Sequence, residues 1–374
     1  MNNEIHKIGF DKLVELFEQT QSSLRKQAAR SVDIALVVRN WLFGWYIVEY
    51  EQNGADRVEL YGKKLIKRLS CELTARLGKG FSKRSLEQFR RFYECYEKIA
   101  QTVSAQSFFA SDKIRPILSV ESFNSISHTL SKKLASCFKL GWSHYVILLT
   151  IKFSEERCFY EIEAVENSWS VRELKRQIES SLYERLALSR DKKKVKELSV
   201  KGQIVDRPDD IIKNPYVLEF LNLPMHPRYS EHELETAIID KIEHFLLELG
   251  KGFLFEARQK RFTFDDDHFY VDLVFYNRLL RCYVLIDLKR EKLTHQDLGQ
   301  MQMYVNYFDR YVRLNDEAST VGIVLCHRKN NAIVELTLPK NSNIHASEYQ
   351  LYLPSKEELK KQLEEAERDW KTGE

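Results

Sequence analysis

Apolar residues recur at helical spacing through roughly the first half of the chain, and strand-like runs appear only after about residue 250. A helix is predicted over about Arg57 to Leu77, stopped by Gly78. After the turn Gly78-Lys79-Gly80-Phe81, Ser82 is suited to cap a second helix, with Leu86, Phe89, Tyr93 and Tyr96 on one face. Ser143 is predicted to cap a short apolar helix through Leu149. Ser170-Val171-Arg172-Glu173 reads as a capping box that opens a helix carrying Leu174, Ile178, Leu182 and Leu186. Trp142 and Trp169, just ahead of these starts, are expected as core anchors.

Four of the seven prolines (Pro208, Pro215, Pro224 and Pro227) fall in one short stretch, where a long helix is hard to sustain. The boundary is placed there, giving a helical domain over 1–205, an α/β domain over 228–354 and a C-terminal helix over 355–374. The α/β domain is predicted to open with a helix from Glu233 to Leu249, ended by Gly250 and Gly252. Strands follow at Phe253 to Phe264, Phe269 to Tyr276 and Cys282 to Lys289, then a helix from about His295 to Val312 and a strand from Val321 to Cys326.

Composition narrows the class. With 43% hydrophobic, 30% charged and 12% aromatic residues the chain of 374 residues is globular, and Tyr145 to Ile151 is far too short to span a bilayer. The start Met1-Asn2-Asn3-Glu4 lacks a signal-peptide pattern. Six scattered cysteines without CxxC spacing suit reduced, mostly buried thiols, so a cytoplasmic protein with no membrane partner is expected. The net charge is only +3, yet Arg172 to Lys201 holds ten Lys or Arg against five Asp or Glu. That stretch, with Lys192, Lys193 and Lys194, can track a phosphate backbone; a solvated helix face is the plainer alternative. Lys83 and Arg84 at the nose of the Ser82-capped helix, with Arg91 further on, likewise permit either a helix-turn-helix that meets nucleic acid or an ordinary helical hairpin.

The chemistry concentrates in the strands. Cys282 to Ile286 is apolar on both faces, as in a doubly covered central strand, and runs directly into Asp287 and Lys289, which point to one face. The preceding strand has a single charge in its middle, Asp272, and the short turn after Asn277 brings the two carboxylates close if the register is centred on it. Paired carboxylates in apolar surroundings call for a cation, and an all-oxygen site suits Mg²⁺ or Mn²⁺. A buried ion pair, with Asp272 answering a cation such as Arg258, is the structural alternative.

Val271 to Cys282 running into Leu285-Ile286-Asp287-Leu288-Lys289 resembles the YhcG-type family of bacterial PD-(D/E)XK nucleases. The likeness extends through Gly80-Phe81-Ser82, Trp142-Ser143-His144, Trp169 to Leu174, Pro215 to Leu221 and Gly322 to Cys326. It implies an all-α N-terminal domain followed by a restriction-endonuclease-like α/β domain that cleaves nucleic acid, with DNA as the expected substrate and Mg²⁺ or Mn²⁺ as cofactor. Carried over, Asp272 and Asp287 bind metal and Lys289 is catalytic; the family more often has Glu at the Asp287 position. Gln300 and Tyr304 match a Q-x-x-x-Y element of the RecB-like branch, and Glu235 matches the acidic residue of the first helix, with Glu233 and Asp240 as rivals. A non-cleaving nucleic-acid scaffold in a defence or repair assembly is the competing reading. The charged segment from Ser355 onwards leaves a homo-oligomer open, as a dimerisation arm or a solvated tail.

Overall fold

The computed structural model describes residues 11, 14, 15, 17, 18, 32–53, 63–97, 134–188, 192–223, 229–264, 266–339, 342–357, 359 and 361. It divides into two compact units, Met1–Val171 and Arg172–Glu374.

The described part of the first unit is helical: α1 (Val32–Asn53), α2 (Lys63–Leu77), α3 (Lys83–Cys95), α4 (Trp142–Leu148) and α5 (Ser154–Glu166). Ser82 caps α3 as expected, accepting the Ser85 N–H at 3.2 Å, and Leu86, Phe89, Phe92 and Tyr93 bury its apolar face. The start predicted for α2 at Arg57 lies outside the described residues. At α4 the cap is Gly141 rather than Ser143, so the helix begins two residues earlier than predicted. Gly44 of α1 has no room for a side chain: a Cβ there would stand 2.0 Å from the carbonyl oxygen of Phe89, so α1 and α3 cross backbone to backbone. Trp142 packs against Phe89 and Phe92 with centroids 5.6 and 5.2 Å apart, and Trp169 is buried, both as core anchors.

The second unit carries α6 (Val171–Glu179), α7 (Leu182–Leu188) and α8 (Lys192–Lys201). The capping-box helix predicted to run on through Leu186 is interrupted, because Ser181 takes a left-handed φ of 53° and Arg185 occupies the carbonyl and hydroxyl of Ser180. The units meet ahead of the proline-rich stretch, so α6 and α7 go with the C-terminal unit. They are held there by Arg185, fully buried, which pairs with the equally buried Glu248 at 2.5 Å.

Six strands form one mixed sheet in the order β1-β6-β5-β4-β3-β2. β2 (Phe253–Phe264), β3 (Asp267–Asn277) and β4 (Cys282–Lys292) are an antiparallel meander, while β4, β5 (Val321–Arg328), β6 (Ile344–Gln350) and β1 (Tyr216–Val217) run parallel. Both faces are covered. Leu273, Phe275, Val284, Ile286 and Leu288 pack under α9 (Glu231–Asp240) and α10 (Ile242–Leu249), which the sequence suggested as one helix but which break at Lys241. Val274, Leu285, Val324 and Cys326 pack under α11 (His295–Tyr307). Gly322 lets α11 lie close on β5: a Cβ there would come within 2.7 Å of Met301. The short α12 (Asn331–Thr337) links β5 to β6.

Of the six free cysteines only Cys282 and Cys326 are buried, and Cys71 and Cys158 are exposed, against the expectation of mostly buried thiols. No helix among the described residues is long and apolar enough to cross a membrane. Of the segment from Ser355, only 355–357, 359 and 361 are described, so the predicted C-terminal helix lies largely outside the described residues.

Candidate active site

The β3–β4 turn fixes the register that decides the site. Asn277, buried at the end of β3, accepts the N–H groups of Leu279 and Leu280 at 3.0 and 3.1 Å and donates to the carbonyl of Lys251. The antiparallel ladder then runs from Asn277↔Cys282 to Leu273↔Ile286. The next step would place Asp272 opposite Asp287, and there the backbone pairing stops. The Asp272 carboxylate replaces it, Oδ2 accepting the Leu288 N–H at 2.8 Å.

Alternation along β4 puts Leu288 in one core and turns Asp287 and Lys289 to the α11 face. Lys289 Nζ lies 2.9 Å from Asp287 Oδ2 as an ion pair and 4.0 Å from Asp297 Oδ1 at the start of α11. Among the described residues Asp272 bonds to neither Arg258 nor another cation; Arg258 Nε instead donates to Glu235 Oε1.

Electrostatics set this cluster apart. Burial, then the charge of Asp272, pushes the Asp287 carboxyl up to about 7 despite the nearby ammonium of Lys289. Burial also raises Asp272, opposed by the Leu288 N–H and by Lys289. Burial alone would lower Lys289, but the charges of Asp287, Glu231 and Asp272 outweigh it and push the ammonium up to about 12. The site therefore has two carboxylates short of positive charge beside a lysine that stays protonated at any physiological pH.

A sequence model of the YhcG PDDEXK nuclease domain matches residues 209–364, and one of the DUF1016 N-terminal domain matches 17–185. The Escherichia coli (strain K12) protein called "Putative nuclease YhcG" is 38% identical over 358 residues, covering 95% of this chain and 94% of its own. The chain belongs to the YhcG family of PDDEXK nucleases. Among solved structures, a repair endonuclease from Pyrococcus abyssi shares 19% identity over 34% of this chain and 49% of its own, with a TM-score of 0.25, too slight a likeness to argue from.

Nucleases of the PDDEXK kind generally depend on a divalent metal, and the residues of this YhcG-family chain fit one. The donors are all carboxylate oxygens, and Oδ2 of Asp287 is buried with no hydrogen-bond partner. Among the described residues no three His, Cys, Asp or Glu side chains cluster closely enough to hold a metal by themselves. The described residues thus offer two carboxylates, the sparse set typical of ions that keep several waters.

Gln300 and Tyr304 come together on α11 as the i, i+4 spacing predicts, Gln300 Nε2 donating to Tyr304 Oη at 2.5 Å. Tyr304 is buried, and its hydroxyl, raised chiefly by burial, also feels the charges of Asp287, Asp272 and Lys289. Glu235 is buried on α9, and its two oxygens are taken by Arg258 and by Gln259 Nε2, the latter at 2.6 Å. It therefore stands one residue, Gln259, behind Asp272 and, among the described residues, outside any three-carboxylate cluster. Its rivals are placed elsewhere: Glu233 closes the capping box with Ser230, and Asp240 is exposed at the end of α9. Gln259, which also donates to Asp272 Oδ1 at 3.0 Å, was missed because nothing in a strand pattern marks it.

Of the predicted nucleic-acid contacts, Lys83 pairs with Glu87 at 3.7 Å, whereas Arg84 and Arg91 are exposed and pair with no described residue. Lys192, Lys193 and Lys194 open α8, but their side chains lie outside the described ones.

Proposed function

We propose that this chain is a Mg²⁺- or Mn²⁺-dependent endonuclease that acts on DNA, with Asp272, Asp287 and Lys289 as its catalytic set. The observation that carries the reading is the Asp272–Asp287 pair at the end of the β3–β4 ladder, both raised by burial and Asp287 also by the charge of Asp272, with Lys289 Nζ 2.9 Å from Asp287. A bound divalent ion would supply charge to a phosphodiester and acidify a water. Asp272 and Asp287 are the residues that would hold it, Asp272 fixed in orientation by the Leu288 N–H. Lys289, kept protonated by its acidic neighbours, is suited to stabilise the negative charge that gathers on phosphate, and is poorly suited to remove a proton. Tyr304, oriented by Gln300 and within reach of the charges of Asp287 and Asp272, is a neutral hydroxyl able to position a water or a phosphate oxygen. Glu235 supports Asp272 from behind rather than as a direct ligand. Lys83, Arg84 and Arg91 in the helical unit, with Lys192, Lys193 and Lys194 on α8, would add phosphate contacts that weaken as salt rises. Free thiols suit a cytoplasmic setting.

The test is incubation of the full chain with plasmid, linear duplex, branched and single-stranded DNA and with RNA, each in Mg²⁺, Mn²⁺ or EDTA. Nicking of closed plasmid in either metal and none in EDTA is expected. Cleavage of RNA alone would replace the DNA substrate. Binding without cleavage of any form would favour the scaffold reading.

A further inference from the structure

Gln259 occupies an unusual place for its residue type. It lies inside β2, where extended backbone is expected, yet its φ is 46°, in the left-handed region that a long side chain rarely adopts. The strand is already irregular nearby, since its register with β3 shifts between Phe255 and Ala257. Bulges and left-handed residues in strands re-aim side chains, and a non-glycine residue is kept there only when its surroundings hold it.

What holds Gln259 is a pair of carboxylates from two different elements. Its Nε2 donates to Glu235 Oε2 on α9 at 2.6 Å and to Asp272 Oδ1 on β3 at 3.0 Å. Carboxylates only accept, so the amide nitrogen, with two hydrogens, can serve both at once. On the far side, Arg258 Nε donates to Glu235 Oε1 and Arg258 Nη2 to Thr236 Oγ1 at 3.0 Å, so Glu235 is itself anchored. Asp272 is then clamped from two directions, Oδ1 by Gln259 and Oδ2 by the Leu288 N–H at 2.8 Å. A lysine in place of Gln259 would join the same carboxylates but subtract negative charge from the site. A neutral amide orders them and leaves that charge available for a cation.

We infer that Gln259 is a positioning residue of the nuclease site: it ties Asp272 to the buried Glu235 on α9 and so presets the Asp272 carboxylate for a divalent metal. The inference rests on the metal-dependent reading of Asp272 and Asp287 proposed above.

The test uses the full chain and Gln259→Gly, which deletes the amide while relieving the left-handed backbone. Three quantities are read: Mn²⁺ affinity by calorimetry with the metal alone, Tm in EDTA, and kcat and KM on whichever substrate wild type cleaves. Mn²⁺ binding about 10- to 100-fold weaker is expected, the range typical for loss of a group that orients a metal ligand. Tm in EDTA should be equal or higher, and kcat should fall more than KM rises. A wild-type Mn²⁺ affinity in the variant would overturn the inference, as would a Tm drop that accounts for the weaker binding. If wild type itself neither binds Mn²⁺ nor cleaves, the metal-dependent reading fails and takes this inference with it. That outcome is separable, because a fault at Gln259 alone cannot silence wild type.

Discussion

Asp287 is held at a cost in the metal-free protein. Its carboxyl stands at about 7 in the folded chain against an ordinary 3.8, so the folded state binds its proton more tightly than the unfolded state does. Stability in EDTA therefore falls as pH rises from about 4 to about 7 and levels off above that. Asp287→Asn removes this term, so its Tm in EDTA should exceed that of wild type at pH 8, with the gap closing towards pH 4. A gap that stays constant with pH, in thermal melts across that range, would contradict the burial and repulsion argument. The same proton competes with metal, so Mn²⁺ affinity of wild type should increase through the same window. Asp272, Asp287 and Lys289 were legible in the sequence because lone charges inside apolar strands stand out and Asn277 announces the turn that sets their register. Gln259 was not legible, since its role comes from a backbone angle that no residue pattern displays.

At the scale of elements, close approach matters more than pattern. Gly322 lies under α11, where an added methyl would meet Met301 Cγ and Sδ at 2.7 Å and the β-branched Val305 at 2.9 Å. Val305 has little freedom to give way, so Gly322→Ala is expected to cost about 1–3 kcal/mol by lifting α11. It should also slow cleavage, because Gln300 and Tyr304 ride on that helix. Thermal unfolding with initial rates checks both, and an unchanged Tm with unchanged rate would remove α11 from the site's support. The meander β2–β3–β4, α11 and β5 followed directly from periodicity and turn residues. The helix breaks at Ser181 and Lys241 did not, because the apolar spacing on either side continues without a proline or glycine to mark the interruption. β6 escaped notice for another reason: Ile344, Ala346 and Tyr349 are too sparse an apolar set to read as a buried strand, and its parallel neighbours complete it.

For the molecule as a whole, the compact unit that holds the sheet starts at Arg172, inside the 17–185 match of the N-terminal domain and ahead of the nuclease-domain match. That match starts at residue 209, yet Glu248 on α10 is buried against Arg185 at 2.5 Å and Arg176 at 3.3 Å, both from helices ahead of it. Burial would raise Glu248, but the charges of Arg185, Lys213 and Arg176 win and pull it down to about 2. Its contribution to stability is complete above the usual glutamate pKa of about 4.5 and is lost as pH falls towards 2. Arg185→Ala, which strands that carboxylate, is expected to cost about 3–5 kcal/mol. A fragment of residues 209–364 should fail to fold, while 172–374 should fold, as circular dichroism and melts would report. A cooperative melt of the shorter fragment at the temperature of the longer one would show that α6 and α7 are dispensable. The proline-rich stretch suggested a boundary on local grounds, but Arg185 and Glu248 lie 63 residues apart, and a pairing over that distance leaves no local trace.

Lys289, acting as a cation beside the two carboxylates, is central to the proposed hydrolysis. The most direct measurement is the initial rate of metal-dependent cleavage by wild type and by Lys289→Ala on the same substrate, with Tm measured alongside. A loss of about 10²–10³-fold with little change in Tm is predicted, the scale expected when one stabilising group for developing charge is removed. Equal rates for the two proteins would contradict it and place the hydrolysis elsewhere in the chain.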